Sequence, residues 1–192
     1  MKKLNGFENA KIITGESKGL PKGGYVIKIQ DCTEVTGNKN GRDYTYLSFA
    51  FDIAEGEYTD HFKGLWQNST DENKKWRGVH NVFIPQEGDQ YYEDNLNRFK
   101  TMIANIEESN PGYHWDWNEK QLAGKYIGII YREKEFLTND GEMIIITEPC
   151  GFRSVQTIRD GKYKVPGIKK LRDAATKPQS YTAAPEEKLP WE

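Results

Sequence analysis

Tyr44 and Tyr46 stand two residues apart in the segment YTYLSFAFDI (44–53), the clearest strand pattern in the chain. Residues two apart on a strand share a face. The two phenols therefore lie together, opposite the apolar stripe Leu47, Phe49, Phe51 and Ile53. Lys39 and Arg42 precede them; His61, Lys63 and Trp66 follow, and then Lys74, Lys75, Trp76 and Arg77. Aromatic rings interleaved with cations suit a single strand of nucleic acid. Each base stacks on a ring for roughly 1–3 kcal/mol while the cations track the phosphates. Ordinary cross-strand pairing accounts for any one of these aromatics; the whole set on one expected face points to binding. A second concentration of charge lies at 153–172, where Arg153, Arg159, Lys162, Lys164, Lys169, Lys170 and Arg172 stand against Asp160 alone. Led by Arg153, this segment would extend the phosphate track. The net charge of the chain is −2, so attraction to phosphates must come from such local patches and not from the molecule's overall field.

The residue types of catalysis lack the necessary spacing. His61, His80 and His114, with Cys32 and Cys150, form no zinc pattern. Glu133-Lys134-Glu135 is the only triplet suggestive of a metal-dependent nuclease, and a solvent-facing strand explains it. Gly37-Asn38-Lys39-Asn40-Gly41 has glycines but no GK[ST] and no following helix pattern, so it is a loop and not a phosphate cradle. No Ser-His-Asp constellation is visible. The expectation is a protein that is not an enzyme, with no metal and no cofactor. Two lone cysteines fit a reduced, cytoplasmic setting better than a disulfide scaffold, although a single disulfide stays open. No apolar run approaches the ~18 residues of a membrane helix, and the opening MKKLNGFENAK has lysines but no apolar core, so no secretory signal is expected.

The elements that would position the aromatic set follow from periodicity. Residues 1–22 read as an arm ending in the turn GLPKGG. A first strand covers 23–35, a loop TGNKNGRD 36–43, a second strand 44–53, and a third strand EYTDHFKGLWQ 57–67. NVFIP (81–85) is a short apolar run ended by proline. Asp89 reads as the N-cap of a helix over about 90–108, whose apolar face is Tyr92, Leu96, Phe99, Ile103 and Ile106. A fourth strand covers 125–137, a turn on Asp140-Gly141 follows, and a fifth strand covers 142–149; FRSVQTI (152–158) extends the sheet or adds a strand. Three strands, a helix and two strands is the order of a five-stranded OB-fold barrel (β-β-β-α-β-β), mainly β with one helix, although a β-sandwich or an open α+β sheet can share that order. In that fold the loops between strands 1–2 and 4–5, here TGNKNGRD and FLTNDGE, flank the ligand face. The expected organisation is an arm at 1–22, an OB-like domain at 23–170 and a disordered tail at 171–192.

The tail ends in PEEKLPWE. Glu186 and Glu187 followed by Leu189, Pro190 and Trp191 resemble the acidic tip of bacterial single-stranded DNA-binding proteins, which closes on Pro-Phe and docks on repair and replication partners. Here Lys188 interrupts the acids, Trp stands in place of Phe, and Glu192 follows the aromatic. An aromatic anchor with an acidic rim suits a basic pocket on such a partner.

GFENAKIITGESKGLPKGGYVIKI, the aromatic second strand and LAGKYIGIIYREKEF resemble phage- and prophage-encoded proteins of Gram-positive bacteria. Many of these carry only a domain of unknown function, and some are assigned as single-stranded DNA-binding proteins near recombination and replication genes. The resemblance covers roughly residues 6–150. It implies a single-stranded DNA-binding protein of phage or prophage replication or recombination, in the host cytoplasm, without transferring any site residue. A homo-oligomer is compatible with it. The rival expectation is a protein–protein adaptor or recombinase accessory factor that uses the barrel and tail without binding DNA.

Overall fold

A computed structural model describes residues 19–39 and 41–171. Five antiparallel strands form one sheet in the order β3-β2-β1-β4-β5: β1 Gly23–Lys39, β2 Arg42–Ile53, β3 Val79–Phe83, β4 Tyr126–Leu137 and β5 Met143–Arg153. Helix α1 (His61–Asn68) lies between β2 and β3, α2 (Tyr92–Ser109) between β3 and β4, and α3 (Val155–Arg159) follows β5.

The first strand serves two neighbours. Gly23 to Lys28 pair with β4, and from Ile27 onward β1 pairs with β2. The register shifts between Ile29 and Asp31, leaving Gln30 as an extra residue. Such a bulge bends a strand and sharpens its twist, which lets β1 pass from one partner to the other. The sheet curls strongly. Phe49 of β2 and Phe152 of β5 are separated by two strands, about 14 Å in a flat sheet, yet their ring centroids are 5.3 Å apart. The barrel-like sheet is not closed. Its edge strands β3 and β5 meet only where the His80 and Phe152 rings come within 5.2 Å, and among the described residues no backbone hydrogen bond joins them.

The curled interior is filled by alternate residues. Leu47, Phe49, Phe51 and Ile53 are buried as the alternation requires, with Ile27, Ile29, Ile127 and Ile129 from the neighbouring strands. Helix α2 plugs one end with Phe99, Met102, Ile103 and Ile106, an i, i+3, i+4, i+7 stripe. Its far end is fixed by Asn110, whose side-chain amide donates to the Ile106 and Tyr126 carbonyls and accepts from the Tyr126 N–H.

Several expectations need correction. The stretch 57–67 is not a strand. Residues 61–68 form α1, because Phe62, Leu65 and Trp66 follow the i, i+3, i+4 spacing of a helix and bury Phe62 against Phe51. The third strand is instead the apolar run at 79–83, where His80 and Val82 turn inward and Val79, Asn81 and Phe83 outward. Gly78 delivers it to β2: its carbonyl accepts from the Phe51 N–H at 2.8 Å, and an added Cβ would collide with the Phe51 carbonyl oxygen and the Phe62 ring. Most of TGNKNGRD is paired strand, down to Lys39 opposite Arg42. The α2 N-cap is Tyr91, not Asp89, and Leu96 is 40% exposed, because the first turns of α2 lie beyond the core. The segment 152–158 splits: β5 runs to Arg153, Ser154 caps α3 by accepting from the Thr157 N–H, and α3 follows.

Of the expected arm, only residues 19–22 are described. Leu20 is buried, and its carbonyl accepts the Thr147 hydroxyl. The expected tail lies outside the described residues beyond Leu171, and so do Glu186, Glu187, Leu189, Pro190 and Trp191. Among the described residues no helix is long and apolar enough to cross a membrane.

Candidate nucleic-acid interface

The outer face of β2 carries Tyr44 and Tyr46, as the alternation requires. Their rings stack at 6.1 Å with an interplanar angle of 18°. Phe83, paired with Tyr46 across the β2–β3 ladder, joins them edge-on, 6.1 Å from Tyr44 and 5.8 Å from Tyr46. Phe83 is 65% exposed, so three rings form a patch with one apolar member open to solvent. Sequence reasoning missed Phe83, and its signal was the outward register of the short run that precedes Pro85. Val35 and Gly37 of β1 pair with Tyr46 and Tyr44 and complete the floor. Lys39 and Arg42 form the last backbone pair of the hairpin just above it.

Trp66 and Trp76 form a second aromatic group. Tyr46 and Asp52 are six residues apart on the same face of β2, roughly 20 Å. At that far end Asp52 is only 4% exposed, and its carboxylate accepts from the backbone N–H groups of Phe62 and Lys63, both at 2.9 Å. It thereby caps α1 from the strand below, while the helix's own N-cap residue, Asp60, makes no side-chain cap bond. This seats Trp66 6.3 Å from Trp76, whose indole N–H donates to the Phe51 carbonyl. The two indoles share a shallow hollow with Lys28, Lys63 and Gln30. His61 packs edge-on to Phe62 and Tyr58. Burial lowers its basicity and the Asp52 charge opposes that shift. The Lys63 ammonium is 3.8 Å from Asp60. Lys74, Lys75 and Arg77 are exposed on the loop leading to β3.

The expected residues are thus brought to two aromatic stations, one on the outer face of β2 and one on α1 and the loop after it, not to one groove. Between them the face presents small or short side chains, Ser48 and Ala50 on β2 and Asn81 on β3. The two long hairpins project from opposite ends of β1, because β4 runs past Gly23 while β2 follows Lys39.

Some cations of the basic segment after β5 are paired, while Lys164 and Lys170 are exposed without an ion pair to another described residue. Arg159 pairs with Glu55, Lys162 with Asp160, and Lys169 with Glu148. Burial raises the Glu148 carboxyl, but hydrogen bonds from Arg132, Lys134 and Lys169 outweigh it and hold the group at about 2. Arg153 stands apart from this cluster. It is exposed at the end of β5, its guanidinium donates to the carbonyl of the preceding residue, Phe152, and it lines a cleft of about 940 Å³ between β3, β5 and α2.

Burial drives the Cys32 thiol up to about 12, with Asp31 and Glu119 adding to the shift; Cys150 is raised by its half-buried setting, and both cysteines are free. Among the described residues no three His, Cys, Asp or Glu side chains converge as a metal site requires. No protein-family model matches the chain, and no curated protein matches it.

Proposed function

We propose that this protein binds single-stranded DNA, without catalysing a reaction, across the outer face of β2 and β3. The observation that carries the proposal is the solvent-facing patch of Tyr44, Tyr46 and Phe83. Cross-strand pairing accounts for Tyr46 opposite Phe83, but the patch of three rings faces solvent, and bases stack on such rings regardless of sequence. Trp66 with Lys63 and Lys28 offers a second station beyond the end of β2, and Lys74, Lys75 and Arg77 supply exposed cations between α1 and β3. The resemblance of residues 6–150 to phage- and prophage-encoded proteins suggests replication or recombination in the host cytoplasm as the setting, with the acidic tip at 186–191 reaching partner proteins.

The test is titration with oligo-dT at low and moderate salt, followed by tryptophan fluorescence. Saturable quenching that weakens as salt rises is the expected result; a flat trace at low salt overturns the proposal.

One observation favours an adaptor instead. Phe136, Leu137, Met143, Ile144 and Ile145 of the β4–β5 hairpin are all exposed, and β5 offers a free edge. An exposed apolar edge strand is a ready surface for another protein. That role predicts complex formation with a protein while oligo-dT produces no signal.

A further inference from the structure

The cleft between β3, β5 and α2 opens beside the aromatic patch, since Tyr44 and Phe83 line both. We infer that it receives one nucleotide of the bound strand, with the base edge held by side-chain amides and the phosphate by arginine. This rests on the single-strand-binding function proposed above and concerns the space beside the stacking patch, which shares Tyr44 and Phe83 with it.

The cleft's composition selects the ligand. Its floor is apolar and buried, with Phe99 and Met102 from α2 and Phe152 from β5. On the walls stand the amides of Asn81, Gln86 and Asn105 and the guanidinium of Arg98. None of these four side chains makes a hydrogen bond or ion pair with another described residue. An apolar floor beneath side-chain amides that have no partner among the described residues matches a nucleobase, which has an apolar face and a polar edge. Amides can pair with base edges in two-pronged fashion, and guanidinium groups suit phosphate. Asp43, whose carboxylate accepts from the Asn38 amide, and Asp89 also line the cleft. The cleft lies at the open seam of the sheet, where the His80 ring of β3 meets the Phe152 ring of β5.

The experiment compares the intact chain with an Asn81→Ala/Asn105→Ala variant and an Arg98→Ala variant on homopolymers of dA, dC and dT about 16 nucleotides long and on ones of about 4, spanning the usual site sizes of one barrel. The expected result is a loss of about tenfold on the long strands for both variants, with the short-strand affinity held by the stacking patch unchanged. Equal affinities for wild type and both variants on every long homopolymer overturn the cleft while leaving single-strand binding intact. Absence of binding by the wild type removes the function and the cleft together. Hydrogen exchange on the wild type provides a check independent of any variant. Slowed exchange at 98–105 of α2 on adding oligo-dT supports the cleft, and slowing confined to 44–46 and 80–86, the strands that carry the patch, overturns it.

Discussion

The ring of Tyr44 lies directly over Gly37. A Cβ added at Gly37 would come within 2.5 Å of the Tyr44 hydroxyl oxygen and 2.6 Å of the ring carbon that bears it. The two residues are Cα partners across the β1–β2 ladder, so the missing side chain of one is the resting place of the other. Gly37→Ala therefore displaces the ring and breaks its parallel stack on Tyr46. The expected outcome is a several-fold loss of oligo-dT affinity, about 1 kcal/mol, with a melting temperature within a few degrees of wild type, because the ring's far end can swing into solvent. Unchanged affinity would show that the stacked geometry is irrelevant to binding.

The patch as a whole is tested by Tyr44→Ala/Tyr46→Ala and by Phe83→Ala. At roughly 1–3 kcal/mol for each lost stacking ring, the double variant should lose on the order of a hundredfold in affinity and Phe83→Ala about tenfold. None of the three residues belongs to the buried core, so near-native circular dichroism is expected for both. If both variants bind as wild type does, the interface lies elsewhere.

The alternation at 44–53 was legible because period two survives any context: the four inward residues are buried and the tyrosines face out. The same was true of the α2 stripe from Phe99 to Ile106. The segment 57–67 misled because Tyr58, Phe62 and Trp66 look β-prone one by one, while their cap comes from Asp52 on a different element. That long-range bond has no local signature. Phe83 escaped for a related reason. Five residues are too few to show which side faces out until the register with β2 is known. The cleft was invisible because it is made by what does not pair, the open seam between β3 and β5.

Asp52 thus joins the core sheet to the second aromatic station, and its removal should separate fold from face. Asp52→Ala leaves two backbone N–H groups at the start of α1 without their acceptor, at a cost of about 2 kcal/mol. Trp66 sits on that helix, so its emission should shift toward that of solvent-exposed indole. Affinity for long oligonucleotides should fall while a strand short enough to occupy only the Tyr44 patch binds as before. Chemical denaturation and fluorescence of the same samples report both effects, and an unshifted emission spectrum would mean that Trp66 is placed by other contacts.

Acid should lower the protein's stability in two successive pH windows. Burial pulls the basicity of His80 down to about 4, against the opposing charge of Glu148. The unfolded imidazole titrates near its ordinary 6.5, so the unfolded chain binds more protons and stability drops as pH falls from about 6.5 to about 4. Glu148 takes over below. Its carboxyl is held at about 2 by Arg132, Lys134 and Lys169 despite its burial. Its contribution is complete above the ordinary 4.5 and disappears as pH falls toward about 2. His80→Phe should flatten the upper stage, because the ring at 80 packs edge-on to Phe152 and pairs across the ladder with Phe49. Glu148→Gln should lower stability at neutral pH, leaving three cations without their carboxylate, and flatten the lower stage. Thermal melts at about pH 7, 5 and 3 on the three proteins check this. A His80→Phe variant whose melting temperature still falls between pH 7 and 5 as steeply as wild type would show that another group controls the upper stage.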